Sequence, residues 1–162
     1  MALLNDCKYG LSALGNLLSL TLLKSSLAPD PTADRGLQTF TYALFPWEGS
    51  LGESGVVRQA YELNVPLLVV PGSAGERSIF SLDAANIVIE AVKPADDGSC
   101  GVVLRLYEAM RSSTRCTLTT TIPVGQAFQA DMMETPLHEL ECMGGKIKLE
   151  FHPFEIITIL LK

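Results

Sequence analysis

The sequence predicts an all-β chain: an antiparallel β-sandwich with one short helix at about residues 54–64. Three observations predict it. Apolar residues recur with a period of two through most segments. Gly, Pro, Asn and Asp gather between those segments at short intervals. Only one stretch carries apolar residues at helical spacing. With 162 residues, 48% hydrophobic and 19% charged, the chain has material for a packed core, which excludes disorder as its dominant state. The length suits one domain or two small lobes.

Taken in order, LLSLTLLKSS (residues 17–26) sets Leu18, Leu20 and Leu22 against Ser19 and Thr21, the pattern of a half-buried strand. APDPTADRG follows, with two prolines and a glycine, as a loop. QTFTYALF (residues 38–45) places Phe40, Tyr42 and Leu44 on one face and Thr39 and Thr41 on the other; this strand is expected beside the previous one. In GESGVVRQAYELN, Ser54 is the expected N-cap, Val57 and Tyr61 share a helical face, and Asn64 with Pro66 ends the helix. PLLVVPGSAGERS (residues 66–78) is expected to give a short buried strand and then a glycine-bearing loop.

From about residue 84 the strands become shorter and more regular, so a boundary is expected between lobes 1–83 and 84–162. NIVIEAVK, GVVLRLYEA, RCTLTTTI, AFQADM, GKIKLEF and FEIITILL are the expected strands, several of them separated by the turn signals DDGSCG, RSST and MGG. GKIKLEF directs Ile147, Leu149 and Phe151 inward and Lys146, Lys148 and Glu150 outward. FEIITILL is apolar on both faces, as a central strand covered on both sides would be.

Several function classes drop out on composition. The net charge is −6 and the twelve Lys and Arg are scattered, which argues against a nucleic-acid surface. No apolar run approaches the ~20 residues of a membrane-spanning helix, and Asp6 interrupts what could otherwise open a signal peptide. The four cysteines, Cys7, Cys100, Cys116 and Cys142, form no CxxC pair and read as reduced thiols in an intracellular protein. Two histidines, His138 and His152, supply no metal-ligand spacing. In DPTAD, Asp30, Thr32 and Asp34 alternate as in a calcium loop, but Gly36 falls one place late and no bidentate Glu follows; a solvated turn is expected. PGSAGER lacks the lysine of a phosphate loop. Cys7 beside Lys8 would still need a histidine base, and Asp96 with Asp97 reads as turn chemistry. No catalytic or metal-binding residue is therefore assigned to this chain.

Read in succession, LLNDCKYG, LSLTLLKSSLAPDPTADRG, TFTYALFPWEGS, AYELNVPLL, VVLRLYEA, the DMMETP that looks like a DLLERP-type segment, and LEFHPFEIITILL resemble the C-terminal part of the glycoside hydrolase family 38 α-mannosidases, closest to their cytosolic and vacuolar branch and its bacterial relatives. The resemblance covers essentially the whole chain in order. It implies retaining hydrolysis of α-mannosides, in which a carboxylate nucleophile forms a glycosyl-enzyme, a second acid protonates the leaving oxygen and zinc, or another divalent metal, helps hold the sugar hydroxyls. In the family that zinc-bearing catalytic domain lies upstream, and its metal ligands and nucleophile have no counterpart here.

The implied role is thus non-catalytic. Residues 1–83 would be the last part of the central β domain and residues 84–162 a small terminal β-sandwich lobe, packed against the catalytic domain of the same protein. A cytoplasmic location is implied, or a vacuolar one for a fungal protein. Residue 3 would fall inside a domain, leaving apolar faces that favour self-association. The loop NDCKYG is the expected contact with the mannoside or oligosaccharide substrate, with Asp6, Lys8 and Tyr9 offering a carboxylate, a cation and an aromatic face; the plainer alternative is a turn shaped by Asn5 and Gly10. A free-standing carbohydrate-binding module or a structural β-sandwich are the alternative functions, although aromatics make up only 7% of the chain.

Overall fold

The computed structural model describes residues 1–73 and 75–162. The chain divides into two compact units, Met1–Val70 and Pro71–Lys162. The expected boundary at residue 83 therefore moves back, because a strand at Phe80–Leu82 is hydrogen-bonded into a sheet of the second unit.

In the first unit β1 (Ala2–Asn5), β2 (Gly10–Leu14), β3 (Leu17–Thr21) and β4 (Tyr42–Phe45) form two two-stranded antiparallel ribbons, β1 with β4 and β2 with β3. The pairing expected between residues 17–26 and 38–45 is not made. A two-residue link lets β3 fold straight back on β2, with Leu11 opposite Leu20, and so short a loop carries the least closure cost. The strand in 38–45 is confined to β4, and its faces are the reverse of those expected: Ala43 and Phe45 are half-buried, while Tyr42 and Leu44 are exposed.

A short 3₁₀ turn, Leu51–Glu53, leads into helix α1, Val56–Asn64. Its N-cap is Gly55 rather than Ser54. Ser54 is buried one residue earlier, where its hydroxyl donates to the Leu51 carbonyl at 2.6 Å and accepts from the Val56 N–H at 3.2 Å. It still satisfies one of the orphan donors of the first helical turn. α1 lies against β1. The short buried strand expected at 66–70 does not form: those residues are exposed and belong to no sheet. In the loop expected after it, position 74 lies outside the described residues.

The second unit is a sandwich. Its strands are β5 (Phe80–Leu82), β6 (Ile87–Pro94), β7 (Val102–Glu108), β8 (Thr114–Thr120), β9 (Ala127–Ala130), β10 (Pro136–Leu140), β11 (Cys142–Met143), β12 (Lys146–Phe151) and β13 (Ile156–Leu161). They form a five-stranded sheet in the order β10-β9-β13-β7-β6 and a four-stranded sheet in the order β11-β12-β8-β5, with every pairing antiparallel. One core lies between the sheets. Leu104, Leu106, Ile157, Ile159 and Leu161 contribute from the first sheet, and Leu118, Ile147, Leu149 and Phe151 from the second. β12 alternates as its sequence dictates. β13 is the middle strand of five, and its outer face is covered as well, by a second cluster of Ala95, Val103, Ala130 and Leu160 against Phe128. No described helix is long and apolar enough to cross a membrane.

Candidate functional site

The turn after β1 brings together the residues that the sequence singles out. The Asn5 side-chain oxygen accepts the Lys8 N–H at 2.7 Å, closing the turn. Asp6 reaches across to residue 41: its carboxylate accepts the Thr41 N–H at 2.9 Å, and its own N–H donates to the Thr41 carbonyl at 3.2 Å. The Cys7 thiol donates to the same carboxylate. Those donors, the thiol first and the Thr41 N–H next, hold Asp6 below the usual aspartate pKa, and the same bond with Asp6 pushes the Cys7 thiol up. Cys7 is therefore kept as a thiol, the opposite of what a nucleophile needs. Lys8 places its ammonium 4.8 Å from the centroid of the Phe40 ring, a cation–π contact. Tyr9 is 91% exposed.

Asp6, Lys8 and Tyr9 are thus on one turn, but in different conditions. Asp6 ties the turn to the residue preceding β4, Lys8 faces an aromatic ring, and Tyr9 alone presents an uncommitted flat surface to solvent. Such a ring can stack on the apolar face of a sugar and donate its hydroxyl to it. Thr41, the residue that fixes Asp6, lies 35 positions along the chain; the sequence carries no local signal for that contact.

Two further polar clusters lie in the second unit, and neither is a chemical site. Glu108, fully buried at the end of β7, accepts from Asn86 Nδ2 at 2.9 Å, from the Met110 N–H at 2.8 Å and from the Phe154 N–H at 3.0 Å. Burial pushes its pKa up, but the Phe154, Asn86, Met110 and Ser112 donors together outweigh burial and keep it below the ordinary glutamate value. In the turn of residues 131–135, Glu134 has its side chain almost wholly buried and pairs with Lys93 at 2.6 Å and Arg105 at 3.6 Å, while Arg105 also donates to the Met132 carbonyl at 3.0 Å. These contacts pin the turn to strands β6 and β7. Burial, with the charge of Asp83 adding to it, pushes the Cys116 thiol up to about 11. Among the described residues no group of three or more His, Cys, Asp or Glu could hold a metal ion.

Residues 86–159 match the family model for the glycosyl hydrolases family 38 C-terminal beta sandwich domain. The chain is similar to Alpha-mannosidase 2C1 of Homo sapiens, 44% identical over 169 residues, which is 99% of this chain and 16% of that protein. It is 45% identical to Alpha-mannosidase 2C1 of Mus musculus over 171 residues, with the same coverage of 99% and 16%. Alpha-mannosidase G of Dictyostelium discoideum is 33% identical over 168 residues, 98% of this chain and 15% of that protein. The chain thus spans only 15–16% of the length of these relatives.

Proposed function

The chain belongs to the glycosyl hydrolases of family 38, as a stretch that includes their C-terminal beta sandwich domain, and from that premise we propose that it is the non-catalytic β-rich part of a retaining α-mannosidase. In this reading it packs against the zinc-bearing catalytic domain of the same polypeptide, in the cytoplasm, and its opening turn borders the mannoside cleft. One observation carries the supporting role. Among the described residues every buried apolar side chain lies between Ile87 and Leu161, so the first unit has no core of its own and needs a surface from elsewhere. The four cysteines are free, in keeping with a reducing compartment. Among the described residues no group of donors fits the zinc that the reading implies, so no chemical step through it is assigned to these residues.

Hydrolysis of nitrophenyl α-mannoside tests the proposal. The isolated chain is expected to be inert, and also to self-associate through its exposed apolar residues when concentrated, which light scattering would detect. The Homo sapiens relative with its matched stretch removed is expected to lose activity and to regain it when this chain is fused in place of that stretch. Full activity in the truncated relative would overturn the proposal.

The turn is tested in the same fusion. Tyr9→Ala is expected to lower kcat/KM roughly tenfold, the scale of one lost sugar hydrogen bond and stacking contact, without moving the melting temperature. Asp6→Ala is expected to lower the melting temperature, because the Thr41 N–H loses its acceptor. Unchanged kinetics in Tyr9→Ala would remove the turn from the cleft.

A further inference from the structure

Four consecutive apolar residues at the end of the first unit stand in water. Leu67, Leu68, Val69 and Val70 are each between 78% and 94% exposed. They belong to no strand, and no backbone hydrogen bond joins them to another described residue. Isolated exposed leucines are ordinary on a protein surface, but four in a row are not. The run is β-prone in composition, bounded by Pro66 and Pro71. A proline is tolerated at the first position of a strand and stops it at the far end. Five residues at about 3.3 Å each give a strand of about 17 Å, an ordinary length.

We propose that residues 66–70 are an interior strand of a β-sheet whose other strands come from the polypeptide that the family 38 relatives carry outside the matched stretch. The inference rests on the reading above, that the chain works as part of a longer α-mannosidase. The side-chain pattern decides between an edge and an interior position. A strand with one wet face alternates apolar and polar residues, whereas residues 67–70 are apolar at every position, so both faces must be covered, and an edge left unpaired on so apolar a run would be a site of aggregation. Immediately before it, Val57, Ala60, Tyr61, Asn64 and Val65 line an apolar concavity of about 300 Å³ on α1, so the surface seeking cover continues onto the helix.

A second copy of this chain is the wrong occupant. Pairing two such runs edge to edge would satisfy one row of N–H and C=O groups and leave both faces of the resulting ribbon in water. Covering those faces takes a filled layer above and below, whereas the exposed apolar residues of a second copy's first unit lie on two-stranded ribbons with no packed layer behind them. The relatives carry most of their length outside the 15–16% that this chain matches, which is ample polypeptide to supply the missing strands and layers.

Amide hydrogen exchange over residues 65–71 tests the proposal, first in the isolated chain diluted until it is monomeric and then in the active fusion with the Homo sapiens relative. In the monomer these amides are expected to exchange at the unprotected rate while β7 and β13 are protected. In the fusion they are expected to slow by at least a hundredfold, and Leu68→Asp is expected to abolish that protection. Protection already present in the monomer, or appearing only in a dimer of fixed stoichiometry, would overturn the proposal. So would a fusion that hydrolyses mannoside while residues 67–70 exchange freely, an outcome that leaves the parent-enzyme reading intact. If the fusion does not fold, the aligned peptide is read in the Homo sapiens relative itself, where free exchange would count equally against the proposal.

Discussion

Glu108→Gln is expected to destabilise the chain by about 3 kcal/mol at pH 7. The two carboxylate oxygens are used from opposite sides: Oε1 accepts from Asn86 Nδ2 and the Met110 N–H, and Oε2 accepts from the Phe154 N–H. A carboxamide has only one oxygen. Whichever way it is turned, its NH2 group faces a part-buried N–H donor that loses its acceptor on the buried Glu108 side chain, and each such orphan costs about 1–3 kcal/mol in addition to the lost charge-assisted bonds. The damage is not local to β7. Phe154 belongs to the turn between β12 and β13, so the carboxylate fastens that turn, and with it the entry to the central strand, to the end of β7.

The pH dependence has a definite sign. The folded pKa of Glu108 lies below its ordinary value, so its contribution is fully present above the unfolded glutamate pKa of about 4.3. It is lost as pH falls through the folded pKa. Urea unfolding of the wild-type chain and of Glu108→Gln at pH 7 and in acid is expected to show a gap that narrows in acid. Equal urea midpoints at pH 7 would mean that these donors find water once the carboxylate is gone.

Gly145→Val is expected to cost about 3 kcal/mol. Gly144 and Gly145 form the two-residue turn from β11 to β12, with φ of 57° and 75°, the positive values that short hairpin turns favour. A left-handed backbone costs an ordinary L-residue about 1–2 kcal/mol and a β-branched one more. A side chain at 145 would also overlap the carbonyl oxygen of Thr120. That contact involves the strand next to β12, where the Gly145 carbonyl accepts the Thr120 N–H at 2.8 Å, so any relief of the overlap breaks a ladder bond; overpacking of this kind costs roughly 1–3 kcal/mol. Gly144→Asn provides the control. Position 144 has the same backbone sign but nothing within 4 Å of an added Cβ, and asparagine tolerates that conformation, so the thermal melt of this variant is expected to stay near wild type. Equal losses in both variants would locate the cost in the turn conformation alone and not in the approach to Thr120.

Legibility differs between the two units for a physical reason. In the second unit each long strand has its partners within the chain, so burial follows the side-chain period: Ile147, Leu149 and Phe151 face the core, and the double-sided apolarity of residues 156–161 marks the middle strand. In the first unit the same period appears in LLSLTLL and YALF, yet Leu18, Leu22, Tyr42 and Leu44 remain exposed. A pattern of alternation records which face is meant to be buried, not whether the chain at hand supplies the burying surface. β1, β2 and β5 carry too few alternating residues to declare themselves, and the pairings of β1 with β4 and β5 with β8 join segments about 40 residues apart.

The turn at residues 5–10 shows the same division. That Asp6, Lys8 and Tyr9 sit together follows from their adjacency and from the turn-forming Asn5, and the family resemblance can be read from the succession of motifs. That Asp6 is bound to Thr41 while Tyr9 is uncommitted follows only from the fold. By itself the sequence determined the all-β class, the helix near residues 54–64, the inward face of β12 and the central place of β13, because each rests on local periodicity. Tertiary structure alone decided the boundary at Val70, the pairing of β1 with β4, the burial of Glu108 and the commitment of Asp6, because each depends on which distant groups come together in space, and a local pattern carries no record of its partner.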